Sequence, residues 1–443
     1  MKGQKETIYA FVFIILSKIF TYIMLLILAN FFIKEVYGQA SFLMSIFSII
    51  MFFTLLGIPN ITVPWIIKKK DTHSVFYFLL IFNTLLTLIG LLLSIKQPLF
   101  FPLTIMLPFL LIRGFARTFL KVQYKYHISQ LFEALYPLFA IFFILLFKNY
   151  QTTGILFSYS LSYILNSIFM FFLVKTEIIN LFRKFSLNFS TIKSYLKKGL
   201  IVSSISLSFL FLGWIDSTIL GFLSTYQNVA KYNIAGPLSN IIAIIPSSLS
   251  FFLLTKSSEL KDSKNILNLT LRISFFFSFL IAILLNSLIF LITKIFFPQY
   301  IGIELYFMIL SIGLIFYSIY SLIYTNLTAQ LKPELAFLPI LSAALLNIIL
   351  DILLIPYYGL IGITIATSLS HLLALTLLSF KTKIPRRFIL VIPLLFLIPL
   401  SFYLNYYGLL LIPLAIFLML ILKLILKQDI KTIFTTLKSV FQQ

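Results

Sequence analysis

The sequence predicts an all-α, polytopic membrane protein with about fourteen transmembrane helices. Three observations predict it. Hydrophobic residues make up 61% of the 443 residues and charged ones only 10%, against roughly half and a quarter in an ordinary soluble domain. The apolar residues form long unbroken runs, such as 275–292 and 389–400. The cations fall between those runs and mostly on alternate connections. Backbone polar groups left unpaired in hydrocarbon are costly, so only helices or a closed barrel span a bilayer. Barrel strands need polar residues at every second position, and the unbroken runs exclude them.

A crossing helix needs roughly 20 apolar residues. In order, the segments that qualify are 8–33, 39–59, 75–95, 98–120, 131–148, 153–174, 199–222, 232–254, 270–293, 303–326, 336–354, 360–380, 388–404 and 407–426. The first is too long for the core of a secretory leader and lacks a small-residue cleavage site, so it reads as a retained helix that directs insertion. With the amino terminus inside, Lys34, Lys96, Lys148, Lys231 and Lys294 fall on the outer side. Lys18 lies within the first span, and all other Lys and Arg of the 34 fall on the inner side. Such an excess marks cytoplasmic connections. It predicts a multi-pass cell-membrane protein with both termini in the cytoplasm. The net charge of +22 then reads as topology and contact with anionic lipid; the cations do not form the single basic stripe of a nucleic-acid binder. With no cysteine, disulfides and thiolate metal sites are excluded.

The expected organisation is an amino-terminal lobe of six helices (1–174), a cytoplasmic amphipathic connection (175–198), a second six-helix lobe (199–380), and a closing helix pair with an amphipathic tail (381–443). In the connection Phe189, Ile192, Tyr195 and Leu196 recur at helical spacing, the pattern of a segment lying on the membrane surface. Ile430, Ile433, Phe434, Leu437, Val440 and Phe441 repeat it in the tail. Asn83, Asn166 and Asn286 are expected to hydrogen-bond between helices.

Three stretches carry a family resemblance. The first is Val36-Tyr37-Gly38 followed by an apolar helix ending Leu56-Gly57-Ile58. The second runs Asp216-Ser217-Thr218-Ile219-Leu220-Gly221, then Tyr232-Asn233-Ile234-Ala235, then Ile245-Pro246-Ser247. The third runs from Asn347 through Asp351 to Ile355-Pro356-Tyr357-Tyr358-Gly359-Leu360-Ile361-Gly362. Together they resemble the polysaccharide-transporter branch of the multidrug/oligosaccharidyl-lipid/polysaccharide flippase superfamily. The resemblance spans the first twelve helices. It implies two six-helix lobes that move a polyisoprenoid-linked oligosaccharide across the membrane by alternating access, the lipid tail staying in the bilayer. It implies no enzymatic activity. The expected partners are that substrate, membrane lipids and polysaccharide-assembly enzymes, for a monomer that binds no nucleic acid.

Ionisable groups at membrane depth are expensive and mark candidate sites. Lys18 is about ten residues into the first span, roughly 15 Å at 1.5 Å per residue. It is either a structural ion-pair partner or, as the resemblance implies for basic residues of this helix, a ligand for the substrate's phosphate. Arg113, Arg117 and Lys121 fall four apart on one helix face. They either set topology or, for Arg113 and Arg117, pair with a diphosphate, to which guanidinium is matched. Glu133 is expected to pair with His127 or a basic residue of the same inner connection. Asp216, Asn347 and Asp351, with the Thr367 hydroxyl and the Ile363 carbonyl, form an oxygen set suited to a hard cation such as Na⁺. Asn347 and Asp351 stand at i and i+4. This set is similar to the sodium site of the lipid-linked peptidoglycan-precursor flippases. Protonation of Asp216 is an alternative coupling mode, and no other cofactor is expected. His371 reads as a hydrogen-bonded packing residue. The alternative function is a cation-coupled multidrug exporter of the same superfamily. A polysaccharide polymerase or ligase is disfavoured, because the outer connections are short and hold few cations.

Overall fold

A computed structural model describes residues 2–55, 66, 72–123, 125–183, 185–197, 208, 211–259, 264–330, 332–382 and 391–426. The expected tail pattern 430–441, the start of the seventh span and the Leu56-Gly57-Ile58 motif lie outside them. The described residues form helices and turns, with no strand among them. Nine of their helices are long and apolar enough to cross a membrane. The architecture is a polytopic all-α membrane fold.

Packing divides the chain into two compact units, Met1–Ala230 and Lys231–Gln443. The first holds α1 (Lys2–Phe31), α2 (Lys34–Leu55), α3 (His73–Lys96), α4 (Leu107–Val122), α5 (Tyr126–Leu146), α6 (Gln151–Leu173), α7 (Lys175–Arg183), α8 (Asp216–Leu223) and the start of α9 (Tyr226–Ser239). Lipid tails are as apolar as leucine, so membrane helices associate through close packing and interhelical hydrogen bonds. Both are present. Phe76 and Leu79 of α3, Leu111 and Phe115 of α4, Phe132 of α5 and Met170 of α6 form one buried cluster. The Asn83 amide donates to the Leu107 carbonyl at 2.9 Å, and Asn166 donates to Phe132 at 2.7 Å.

The connection after α6 docks on this cluster. Ile178, Leu181 and Tyr195 are buried within it. Polar bonds from the start of α3 hold the same segment. The Tyr77 hydroxyl donates to the Phe182 carbonyl at 2.8 Å, and the backbone N–H of Asn188 donates to the Ser74 hydroxyl at 3.0 Å. Ile192 and Tyr195 therefore face the protein, while Phe182, Phe185 and Phe189 are exposed. The helical periodicity in this stretch records a docking face on one side and exposed aromatics on the other.

The second unit holds the rest of α9, α10 (Ile244–Glu259), α11 (Lys264–Phe296), α12 (Glu304–Ala329), α13 (Glu334–Thr382), α14 (Leu397–Tyr403) and α15 (Leu411–Ile421). The Asn286 amide reaches the Ser311 hydroxyl at 3.1 Å, tying α11 to α12. All three expected asparagine bridges are therefore present. The α11–α12 turn is closed by buried Glu304, which accepts from Thr293 at 2.6 Å and from the Gly302 N–H at 2.8 Å. α13 is two arms joined at Gly359, where φ is +54°, a conformation glycine tolerates at little cost. The chain folds back there: a Cβ on Gly362 would lie 2.6 Å from the carbonyl oxygen of Leu354. In a continuous helix those residues stand about 12 Å apart.

The last expected pair, 388–404 and 407–426, is described as shorter pieces. Pro393, Pro399 and Pro413 interrupt its hydrogen-bond ladder, and Asn405 adopts a positive φ of 51°. In the first unit α2 approaches the start of α9 closely at Gly38, where a Cβ would lie 1.7 Å from the backbone oxygen of Tyr226. Gly38→Ala is therefore expected to lower the thermal midpoint of the purified protein, losing about 1–3 kcal/mol as an overpacked site. Gly236→Ala, with open space around its Cβ position, should leave the midpoint unchanged or raise it.

Candidate functional site

In the first unit the sequence places Arg113 and Arg117 one helical turn apart on α4, opposite α5. The fold joins them to a single carboxylate. Arg113 Nη2 donates to Oε1 of Glu133 at 2.9 Å, and Arg117 Nη1 lies 3.0 Å from the same oxygen. Arg113 is buried, with 5% of its side chain exposed, whereas Arg117 at 31% and Glu133 at 29% reach the surface. The Arg113 guanidinium sits 4.3 Å from the ring centre of Tyr163 on α6 and 5.6 Å from that of Tyr136 on α5. Those two rings meet edge-on at 5.9 Å. A cation desolvated against aromatic faces is held by their quadrupoles, so Arg113 is fixed from two sides. The cluster carries two guanidiniums against one carboxylate.

α1 packs on α5 beside this cluster. The Ser17 hydroxyl donates to the Glu133 carbonyl at 3.0 Å. The next residue, Lys18, is exposed, as are Ile15 and Ile19 on either side. Glu133 takes Arg113 and Arg117 as its partners. Tyr136, Tyr163 and Ser17 complete the site without having stood out in the sequence.

Asp216 opens α8 directly after a single π-helical turn, Phe211–Ile215, and is fully buried. Such turns widen a helix and are frequent at functional positions. α8 is anchored on α2 by a 2.8 Å hydrogen bond between the Ser45 and Thr218 hydroxyls. It also meets α2 where Gly221 admits the Phe42 ring.

The remaining members of the oxygen set are in the second unit, on the two arms of α13. Asn347 and Asp351 share a face of the first arm, the Asn347 amide pointing to Asp351 Oδ2 at 3.5 Å. Asn347, Asp351 and Ile363 are fully buried, and Thr367 is nearly so. Because the arms run antiparallel from the Leu354–Gly362 contact, Asp351 stands about level with 365, one turn or less from Ile363 and Thr367. The Thr367 hydroxyl donates to the Ile363 carbonyl at 2.9 Å and lies 3.4 Å from the Tyr232 hydroxyl. The amide oxygen of Asn347 is buried with no hydrogen-bond partner among the described residues. Carboxylate, amide, hydroxyl and carbonyl oxygens are the donors a hard cation takes, so the residues present fit one. His371, on the second arm, hydrogen-bonds the Tyr320 hydroxyl at 3.1 Å.

No protein-family model matches the chain. An uncharacterized membrane protein of Methanocaldococcus jannaschii, MJ1068, is 30% identical over 240 residues, 52% of this chain. The match spans about half, 47%, of that relative's length. Among solved structures, lipid II flippase MurJ in an inward closed conformation superposes with a TM-score of 0.78 at 20% identity, over 96% of this chain and 99% of that one. An inward-facing multidrug resistance MATE family transporter of the MOP superfamily gives 0.62 at 13% identity, over 85% and 99%. The chain has the fold these transporters share.

If Glu133 neutralises Arg113 as the geometry indicates, a double-mutant cycle between Arg113→Met and Glu133→Gln should give a coupling of about 2 kcal/mol. That lies within the roughly 0.5–3 kcal/mol range of residues in direct contact, Glu133 being partly exposed. Thermal or denaturant unfolding of the four proteins checks it, and additive losses would refute the pairing.

Proposed function

We propose that this chain is a flippase. It moves a polyisoprenoid-(pyro)phosphate-linked oligosaccharide from the cytoplasmic to the outer leaflet by alternating access, for assembly of cell-surface polysaccharide or glycan. The observation that carries this reading is the surplus of positive charge among the apolar helices of the first unit. Arg113 and Arg117 share one carboxylate, and exposed Lys18 stands beside the residue that docks α1 on the same helix. A charge is kept in a membrane interior only where it has work or a partner, and these cations outnumber their counter-ion. Guanidinium and ammonium groups suit an anionic headgroup. The fold likeness to a lipid II flippase over nearly the whole chain supports the same class of substrate.

In this reading Lys18, Arg113 and Arg117 bind the phosphate while the tail remains in lipid. Coupling to Na⁺ or H⁺ is assigned to buried polar groups, Asp216 in one unit and Asp351 with Asn347, Ile363 and Thr367 in the other. A cation bound on the arms of α13 would supply a positive charge that neutralises Asp351. It biases the transport cycle only through a difference in affinity between conformations. The membrane is the cell membrane, with both termini cytoplasmic, as the distribution of Lys and Arg supports. The MATE likeness keeps a cation-coupled drug exporter as the competing reading.

The test is translocation of a fluorescent polyisoprenyl-diphosphate oligosaccharide in proteoliposomes. The native protein should transport it, Lys18→Ala should lower the rate by about tenfold, and Asp216→Asn should remove its dependence on an imposed Na⁺ or H⁺ gradient. Equal rates for native protein and Lys18→Ala would remove Lys18 from the mechanism. Export of small cationic drugs, with no transport of the lipid, would establish the competing reading.

A further inference from the structure

Glu133 is the one carboxylate in the Arg113–Arg117 cluster, and its arrangement differs from that of a simple structural ion pair. A structural pair saturates both partners, commonly as a two-pronged contact between guanidinium and carboxylate. Here one carboxylate oxygen, Oε1, serves both arginines at 2.9 and 3.0 Å. The Nε groups of Arg113 and Arg117 are buried with no hydrogen-bond partner among the described residues. The arginines are therefore under-satisfied in both charge and donors. Arg113 is held rigidly by Tyr163 and Tyr136, while Glu133 and Arg117 are each about a third exposed. The carboxylate is thus on the more exposed side of the cluster, and Arg113 on the buried side.

We infer that Glu133 is an internal counter-anion, which a diphosphate group displaces when it binds Arg113 and Arg117 and which re-forms its ion pairs to expel that group. This rests on the flippase reading. A diphosphate brings more acceptor oxygens and more negative charge than a carboxylate, so it reaches the unused donors. Glu133 keeps the buried Arg113 neutralised between cycles, since an uncompensated buried charge is strongly destabilising. It also competes with the ligand at every encounter. Glu133 thus acts as a positioning residue that sets affinity and release, not as a ligand contact.

The experiment uses the full chain in lipid nanodiscs and calorimetric titration with farnesyl diphosphate, with inorganic pyrophosphate and farnesol as parallel probes. Glu133→Gln removes the competitor and leaves Arg113 to be neutralised by the ligand. It should bind farnesyl diphosphate about tenfold more tightly than the native protein, and its melting temperature should rise more on ligand addition. Glu133→Asp, which keeps the charge but shortens its reach, should bind with intermediate affinity and serves if Glu133→Gln does not fold. Farnesol should bind all forms alike. If the native protein binds farnesyl diphosphate and neither variant binds it more tightly, Glu133 is structural and the displacement is refuted, while the flippase reading stands. If no folded form binds farnesyl diphosphate, both fall. Pyrophosphate binding as tight as that of farnesyl diphosphate would overturn the lipid headgroup as occupant in favour of a soluble anion.

Discussion

The structure depends on one constraint: at membrane depth there is no water to satisfy a polar group, so each must find its partner within the protein. The helices meet that demand for the backbone. Side chains meet it in two ways. Serines and threonines turn back onto their own helix, as Ser158 does to Gly154 and Ser162 to Ser158 on α6. Asparagines reach across to the next helix and set which pairs are neighbours. A carboxylate can do the same for a turn, as Glu304 does between α11 and α12.

The same constraint gives the charged residues their meaning. Arg113 is tolerated because a carboxylate and two aromatic rings replace its hydration. Lys18 is not covered by other helices among the described residues; it follows the Ser17 that docks α1 on α5. Asp351 is buried beside an amide on its own helix, with a hydroxyl and a carbonyl about level with it on the returning arm. The first unit gathers two guanidiniums around one carboxylate, and the second gathers oxygen donors on the two arms of α13.

Much of this was legible in the chain before the structure. Long apolar runs and sided cations sufficed for the fold class, because burial in lipid leaves few alternatives. Asn83, Asn166 and Asn286 were legible as bridges because an amide in an apolar run has only one affordable use. Arg113 and Arg117 stood out by charge and spacing, but their pairing was only half legible. Which cation Glu133 takes depends on how α4 faces α5, and spacing along one helix does not encode that. Tyr136 and Tyr163 were invisible for a different reason. With 23 tyrosines and 51 phenylalanines, composition cannot single out the two that flank an arginine. The broken last pair shows the limit of counting apolar residues, since three prolines and a left-handed asparagine matter more there than hydrophobicity.

Rigidity and exchange are divided among neighbouring residues of the first unit. Tyr136, Tyr163 and the packing of α4 against α6 hold Arg113 in place, so in the proposed flippase little ordering cost would remain when an anion binds. Arg117 and Glu133 lie nearer the surface, as the proposed exchange of partners requires. A pocket whose every member was fixed would bind tightly and release slowly, and one whose every member was mobile would lose its affinity to ordering. In the proposed cycle, burying the guanidinium on α4 and exposing its carboxylate partner on α5 would avoid both.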